Sequence, residues 1–93
     1  MVYAVIEDVE DRVGTRVIRR RIIRTDDEQF PSRYRYSLHY GYTNGRGTIL
    51  RYDNENHTLG RHEKHTPDRI EEIECPEMMK LRARFIEKIE EEL

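Results

Sequence analysis

Between residues 51 and 65 the chain gathers Arg51, Asp53, Asn54, His57, His62, Glu63, Lys64 and His65. An arginine offers paired N–H donors to a phosphate or carboxylate, imidazoles gain and lose protons near neutral pH, and a carboxylate can orient either. Such a set suits anion binding with acid–base chemistry. It sits where a strand runs into a loop, a common position for a site on a small sheet. The same residues also fit a solvated surface: Arg51 and Asp53, two apart on one strand face, could form an ion pair worth about 0–1 kcal/mol. A metal reading uses His57, His62 and His65 with Asp53, in the manner of a folded zinc loop. With no cysteine pair and no helical His-Glu-x-x-His, the preferred reading has no metal and no other cofactor.

The elements that must position these groups follow from patterning. The clearest is Arg33 to Tyr42, where positions 34, 36, 38, 40 and 42 are Tyr, Tyr, Leu, Tyr and Tyr and the intervening ones are polar or Gly. That period of two predicts a strand with one buried face. Those rings belong to a core first, and could stack a base only if exposed. Asn44-Gly45-Arg46-Gly47 marks a turn rather than a phosphate loop, since neither Lys-Ser/Thr nor a helix follows. A two-residue Asn44-Gly45 turn would set Leu38 opposite Arg51. A loop of odd length instead pairs Tyr40 with Leu50 and Leu38 with Tyr52 on the core face, and His39 with Arg51 and Ser37 with Asp53 on the other.

Two further strands are expected before this hairpin, from Met1 to Glu7 and from Thr15 to Arg24, with the acidic segment 7–11 as a turn between them. Arg19-Arg20-Arg21 then presents guanidinium groups to both sheet faces. The His-rich stretch 54–68 reads as a loop, and 69–75 as a short strand or extended link. From Pro76 onward, Met78, Leu81, Phe85, Ile89 and Leu93 recur every three or four residues, which predicts an amphipathic helix covering the sheet. The whole is an α+β fold: an antiparallel meander of about four strands over residues 1–53, a loop and link over 54–75, and a C-terminal helix over 76–93. At 93 residues it has room for one domain (1–93) and excludes large layered enzyme folds.

Charge is unevenly spread. From Arg12 to Arg51 there are ten Arg and three acidic residues, whereas from Asp68 to Leu93 there are nine acidic and five basic ones. A basic, tyrosine-rich stretch followed by an acidic helix suggests an anion-binding face, although two ordinary charged surfaces would read the same way. The single Cys75 requires no oxidising compartment. No apolar run is long enough to span a bilayer and no signal-peptide pattern is present, so a cytoplasmic protein without membrane partners is expected.

The Tyr34-Arg35-Tyr36-Ser37 strand, the Arg51-Tyr52-Asp53-Asn54 motif and the downstream His62-x-x-His65 resemble the TumE family of prokaryotic toxins, encoded beside helix-turn-helix TumA antitoxins. The resemblance covers residues 34–65 and the closing helix; the first thirty residues match only as generic strands. Two departures stand out. Only His57 follows Asn54 where a His pair is usual, and Glu63 stands in a cluster that usually reads His-His-x-His. The resemblance implies the toxin half of a type II module with a TumA-like partner, acting on RNA, free or ribosome-bound, as a metal-independent endoribonuclease. By analogy it implies a RelE-like sheet-plus-helix fold. In that reading Arg51, Asp53, His62 and His65 are catalytic, and Arg35, His39, Asn54, His57, Arg61 and Lys64 contact nucleic acid. The alternative is a non-enzymatic nucleic-acid or protein binding module, and in either case oligomers are allowed.

Overall fold

In a computed structural model, which describes residues 3–55, 59–74 and 77–92, the chain forms one antiparallel sheet and one helix. The strands are β1 (Tyr3–Val13), β2 (Arg16–Thr25), β3 (Tyr34–Tyr42), β4 (Thr48–Asp53), β5 (Glu63–His65) and β6 (Ile70–Glu72), and the helix is α1 (Met78–Glu92). The sheet order is the chain order, β1-β2-β3-β4-β5-β6. It is therefore a meander of six strands rather than about four.

The extra length comes from two places. The acidic segment 7–11, expected as a turn, lies inside β1, because it has arginines across from it in β2. Arg19 pairs with Asp8 at 3.1 Å and Glu10 at 3.7 Å, and Arg20 with Glu7 at 3.3 Å and Asp11 at 3.9 Å. Cross-strand charges of opposite sign favour the extended state, and much of the basic character of β2 is neutralised in the same way. The chain reverses instead at Gly14-Thr15, where Gly14 takes the positive φ of 60° that a two-residue hairpin needs. The second addition is β5, which pairs with both β4 and β6 inside the stretch expected to be loop.

The hairpin of β3 and β4 pairs Ser37 with Asp53, Leu38 with Tyr52, His39 with Arg51 and Tyr40 with Leu50, the expected register. A shift at Tyr40/Gly41 then sets Gly41 opposite Thr48, so the register comes from an irregularity beside the turn and not from an odd-length loop alone. One sheet face consequently buries Ile18, Ile22, Tyr36, Leu38, Tyr40, Leu50 and Tyr52 against Met78, Leu81, Phe85 and Ile89 of α1. Tyr52 meets Phe85 edge to face, with ring centres 6.3 Å apart. Glu77 starts the helix, its carboxylate accepting the Met79 N–H at 3.0 Å. The expected helix start, Pro76, and its neighbour Cys75 lie outside the described residues, as does Leu93.

A register shift between Val5 and Glu7 turns β1 over, so that Glu7 reaches the helix side while Tyr3 and Val5 stay on the opposite face. There Arg82 of α1 donates two bonds to Glu7, Nε to Oε1 and a terminal nitrogen to Oε2, both at 2.9 Å. These bonds hold the Glu7 carboxyl below its ordinary 4.5 despite burial, with Arg20 helping. Glu7→Gln should lower stability by roughly 1–2 kcal/mol at pH 7. Because the folded pKa is depressed, this contribution is present above the unfolded value and vanishes as pH falls through the folded one. Melting curves of variant and parent should therefore separate at pH 7 and converge in acid.

Candidate functional site

The face opposite the helix is built from cross-strand rows. One runs Glu10, Arg19, His39, Arg51, His65, Ile70 from β1 to β6, and the next runs Asp8, Arg21, Ser37, Asp53, Glu63, Glu72. Neighbours within a row are about 4.8 Å apart, so the two rows bring Arg51, Asp53, Glu63 and His65 into one square at the β4/β5 pair. Asp53, Glu63 and His65 are all buried, at 2%, 4% and 7% exposure.

The contacts run from guanidinium to carboxylate to imidazole to carboxylate. Arg51 Nε lies 2.8 Å from Asp53 Oδ2, His65 Nε2 lies 3.5 Å from the same oxygen, and His65 Nε2 lies 3.3 Å from Glu63 Oε1. Burial raises the Asp53 carboxyl above its ordinary 3.8; Arg51 and His65 pull it back and Glu63 pushes it further up. Asp53 Oδ1 is buried without a hydrogen-bond partner among the described residues. Beside it a cavity of about 130 Å³ opens, lined by Ser37, Arg51, Asp53 and Glu55. A larger hollow of about 530 Å³ lies between the start of β1 and loop 26–33 and holds none of the residues singled out from the sequence.

His39, across from Arg51, is half-buried and sets its Nε2 3.0 Å from Thr48 Oγ1. Burial lowers its pKa, and the Arg51 charge acts in the same direction. Behind it Gly41 is needed for close approach, since a Cβ there would stand 2.8 Å from the Gly47 carbonyl and 2.9 Å from the His39 ring. Arg35 lies on the same face, exposed, with Nε donating to Glu55 at 2.6 Å, while Arg21 reaches the other Glu55 oxygen at 3.9 Å. Arg61 pairs with Glu72 at 3.3 Å and Glu63 at 3.6 Å.

The other residues expected here are elsewhere. His62 stands one position before β5 and therefore faces the helix side: its Nδ1 meets the Tyr36 hydroxyl at 2.8 Å, and the two rings stack with centres 5.8 Å apart. Burial lowers its pKa, opposed by Glu72. A separation of three along an extended chain sends His62 and His65 to opposite faces, so the structure does not bring that pair together. Lys64, opposite Tyr52, also points to the helix side. Asn54 is fully buried and spent on β3, accepting the Tyr36 N–H at 3.0 Å and donating to the Tyr34 carbonyl at 2.6 Å. His57 lies outside the described residues.

Two groups at the site, Glu63 and Ser37, carry no assigned role in the sequence reading. The signal for Glu63 was its two-residue spacing from His65, together with its place in a cluster that usually carries His there. The zinc set of three His with Asp53 is not assembled among the described residues, because His62 faces away. A different set, Asp53, Glu63 and His65, has ligand atoms within 4.8 Å of one another. The guanidinium of Arg51 already takes the Asp53 oxygen that faces His65. The cluster thus carries its own counter-cation.

Fold and site together define a small α+β protein with a helix-backed antiparallel sheet and an arginine–carboxylate–imidazole cluster on its open face. The chain matches the family model described as Toxin TumE over residues 3–93 and belongs to that family. No curated protein and no solved structure matches it.

Proposed function

We infer that the chain is the toxin of a type II module, held by a helix-turn-helix antitoxin, and that it cleaves RNA on the open sheet face. The observation carrying this reading is the convergence of Arg51 and Asp53 on one cavity, with His65 and Glu63 directly behind. Asp53 takes the proton of the ribose 2′-OH, O2′ bonds to phosphorus, the P–O5′ bond breaks, the 5′-oxygen leaves with a proton from water, and the hydroxide so formed takes the proton from Asp53, which returns the base to its ionised form. A 2′,3′-cyclic phosphate and a 5′-hydroxyl end result. Arg51 donates to the phosphate oxygens as charge builds there, which fixed donors in a shielded site do well. The raised Asp53 pKa brings the base closer to neutrality, and its activity requires the ionised form, so the acid limb of the rate profile lies above the ordinary aspartate range. His65 is a positioning residue, and Arg21, Arg35 and Arg61 carry the backbone.

Glu55 occupies the two guanidinium groups, Arg21 and Arg35, that a phosphate would use. The Arg21 and Arg35 side chains are 39% and 44% exposed, so solvent screening keeps the pairs weak. Glu55→Gln should leave the melting temperature within a degree or two and tighten single-stranded RNA binding severalfold. Its log–log salt slope should steepen by about 0.7 for each further phosphate that the freed arginines neutralise. Anisotropy titrations at several salt concentrations check this.

Induction of the chain alone should arrest growth and accumulate cut RNA, and co-expression of a cognate antitoxin should prevent both. Arrest with intact RNA would favour the binding-only reading. Normal growth would reject both.

A further inference from the structure

We propose that a second pocket on the open face holds a guanine base of the bound RNA, next to the phosphate held at Arg51; this rests on the RNA reading above. The pocket has a volume of about 280 Å³, and Tyr3, Arg21, Ile23, Asp27, Phe30 and Arg35 are among the residues that line it. It adjoins the cluster through Glu55, which contacts both Arg21 and Arg35. Arg21 stands opposite Ser37, which stands opposite Asp53, so the pocket wall is two strand spacings, about 10 Å, from the proposed base.

Its walls suit a planar base attached to an anion. Tyr3 presents an exposed ring, and Arg35 lies over Phe30 at 5.6 Å, a stack of cation on ring that a base can extend. Arg21 and Arg35, in its lining, meet a second, neighbouring phosphate that displaces Glu55 from them. Tyr3 reaches this face because the irregularity after Val5 turns only the later part of β1 towards the helix.

Asp27 sets which base. The loop holding it is fixed by its own bonds: Asp27 N to Thr25 Oγ1 at 3.1 Å, Gln29 N to Asp27 Oδ1 at 2.9 Å and Phe30 N to the Asp27 carbonyl at 3.0 Å. A carboxylate only accepts hydrogen bonds, and it has lone pairs beyond the one used by Gln29. Guanine alone among the four RNA bases offers two adjacent donors, N1–H and N2–H, that face one carboxylate together. Uracil offers one flanked by carbonyls that a carboxylate repels.

The test uses the full chain and short single-stranded RNAs, 2′-O-methylated so that they cannot be cut, differing only in one central base: guanine, inosine or uracil. Guanine should bind about tenfold more tightly than uracil, with inosine between. Asp27→Asn should remove that ranking, and Tyr3→Ala should weaken all three alike, both with unchanged melting. Equal binding of the three bases, or a ranking that survives Asp27→Asn, overturns the pocket. Unmodified RNAs read catalysis separately: base-ranked binding without cleavage supports the pocket and contradicts the catalytic reading, whereas cleavage without ranking does the reverse.

Discussion

Asp53→Asn should reduce RNA cleavage by about 10²- to 10⁴-fold, the range typical for loss of a positioned base, while the protein remains folded. Folding and activity separate because of the direction of the Asp53 shift. Burial outweighs the attraction of Arg51 and His65, so the ionised carboxylate is less comfortable in the fold than in water. For an acid whose folded pKa is raised, stability is lost as pH climbs from the unfolded value through the folded one. A neutral isostere escapes that loss. The variant should therefore melt at or above the parent temperature at pH 7, and its advantage should shrink as pH falls towards 4. A large fall in melting temperature would instead make the Arg51–Asp53 contact a structural strut, and the lost activity would then say nothing about a base.

His65→Ala should have the largest effect on stability, a loss of about 1–3 kcal/mol, because it removes the imidazole that lies within reach of two buried carboxylates. Asp53 and Glu63 would then face each other with ligand oxygens inside the 4.8 Å span that now also contains the imidazole nitrogen. Against a typical total of about 5–15 kcal/mol, that loss is a substantial fraction. Two measurements identify its origin. The double variants Glu63→Gln/His65→Ala and Asp53→Asn/His65→Ala should each recover much of the loss. Additive effects of the two changes in denaturant unfolding would show that the groups do not interact, contrary to the geometry.

How much was legible in the sequence depended on whether one face of an element is buried. The β3/β4 register could be read from Leu38, Tyr40, Leu50 and Tyr52, because a one-residue slip would put Arg51 into the core. The helix stripe Met78, Leu81, Phe85, Ile89 was equally plain. The segment from Glu7 to Asp11 reads as a turn from its own residues because its extended state depends on Arg19 and Arg20 in another strand, a partner that local propensity does not see. Gly14 carried the real turn signal. β5 is three residues long and polar, held by pairing on both sides, so it has no hydrophobic alternation of its own. That omission had a direct cost for the site. Without a strand at 63–65, His62 and His65 looked like a pair, whereas extended pairing separates them by a face and puts Glu63 in the cluster instead.

Joint action of Arg51 and Asp53 on an RNA phosphodiester is tested most directly by the chemistry of RNA ends after incubation of the purified chain with single-stranded RNA. The parent protein should leave 2′,3′-cyclic phosphate and 5′-hydroxyl ends, and these should be lost with Asp53→Asn at unchanged melting temperature. Intact RNA from a chain that still arrests growth, or equal cleavage by the folded Asp53→Asn variant, would contradict that joint action.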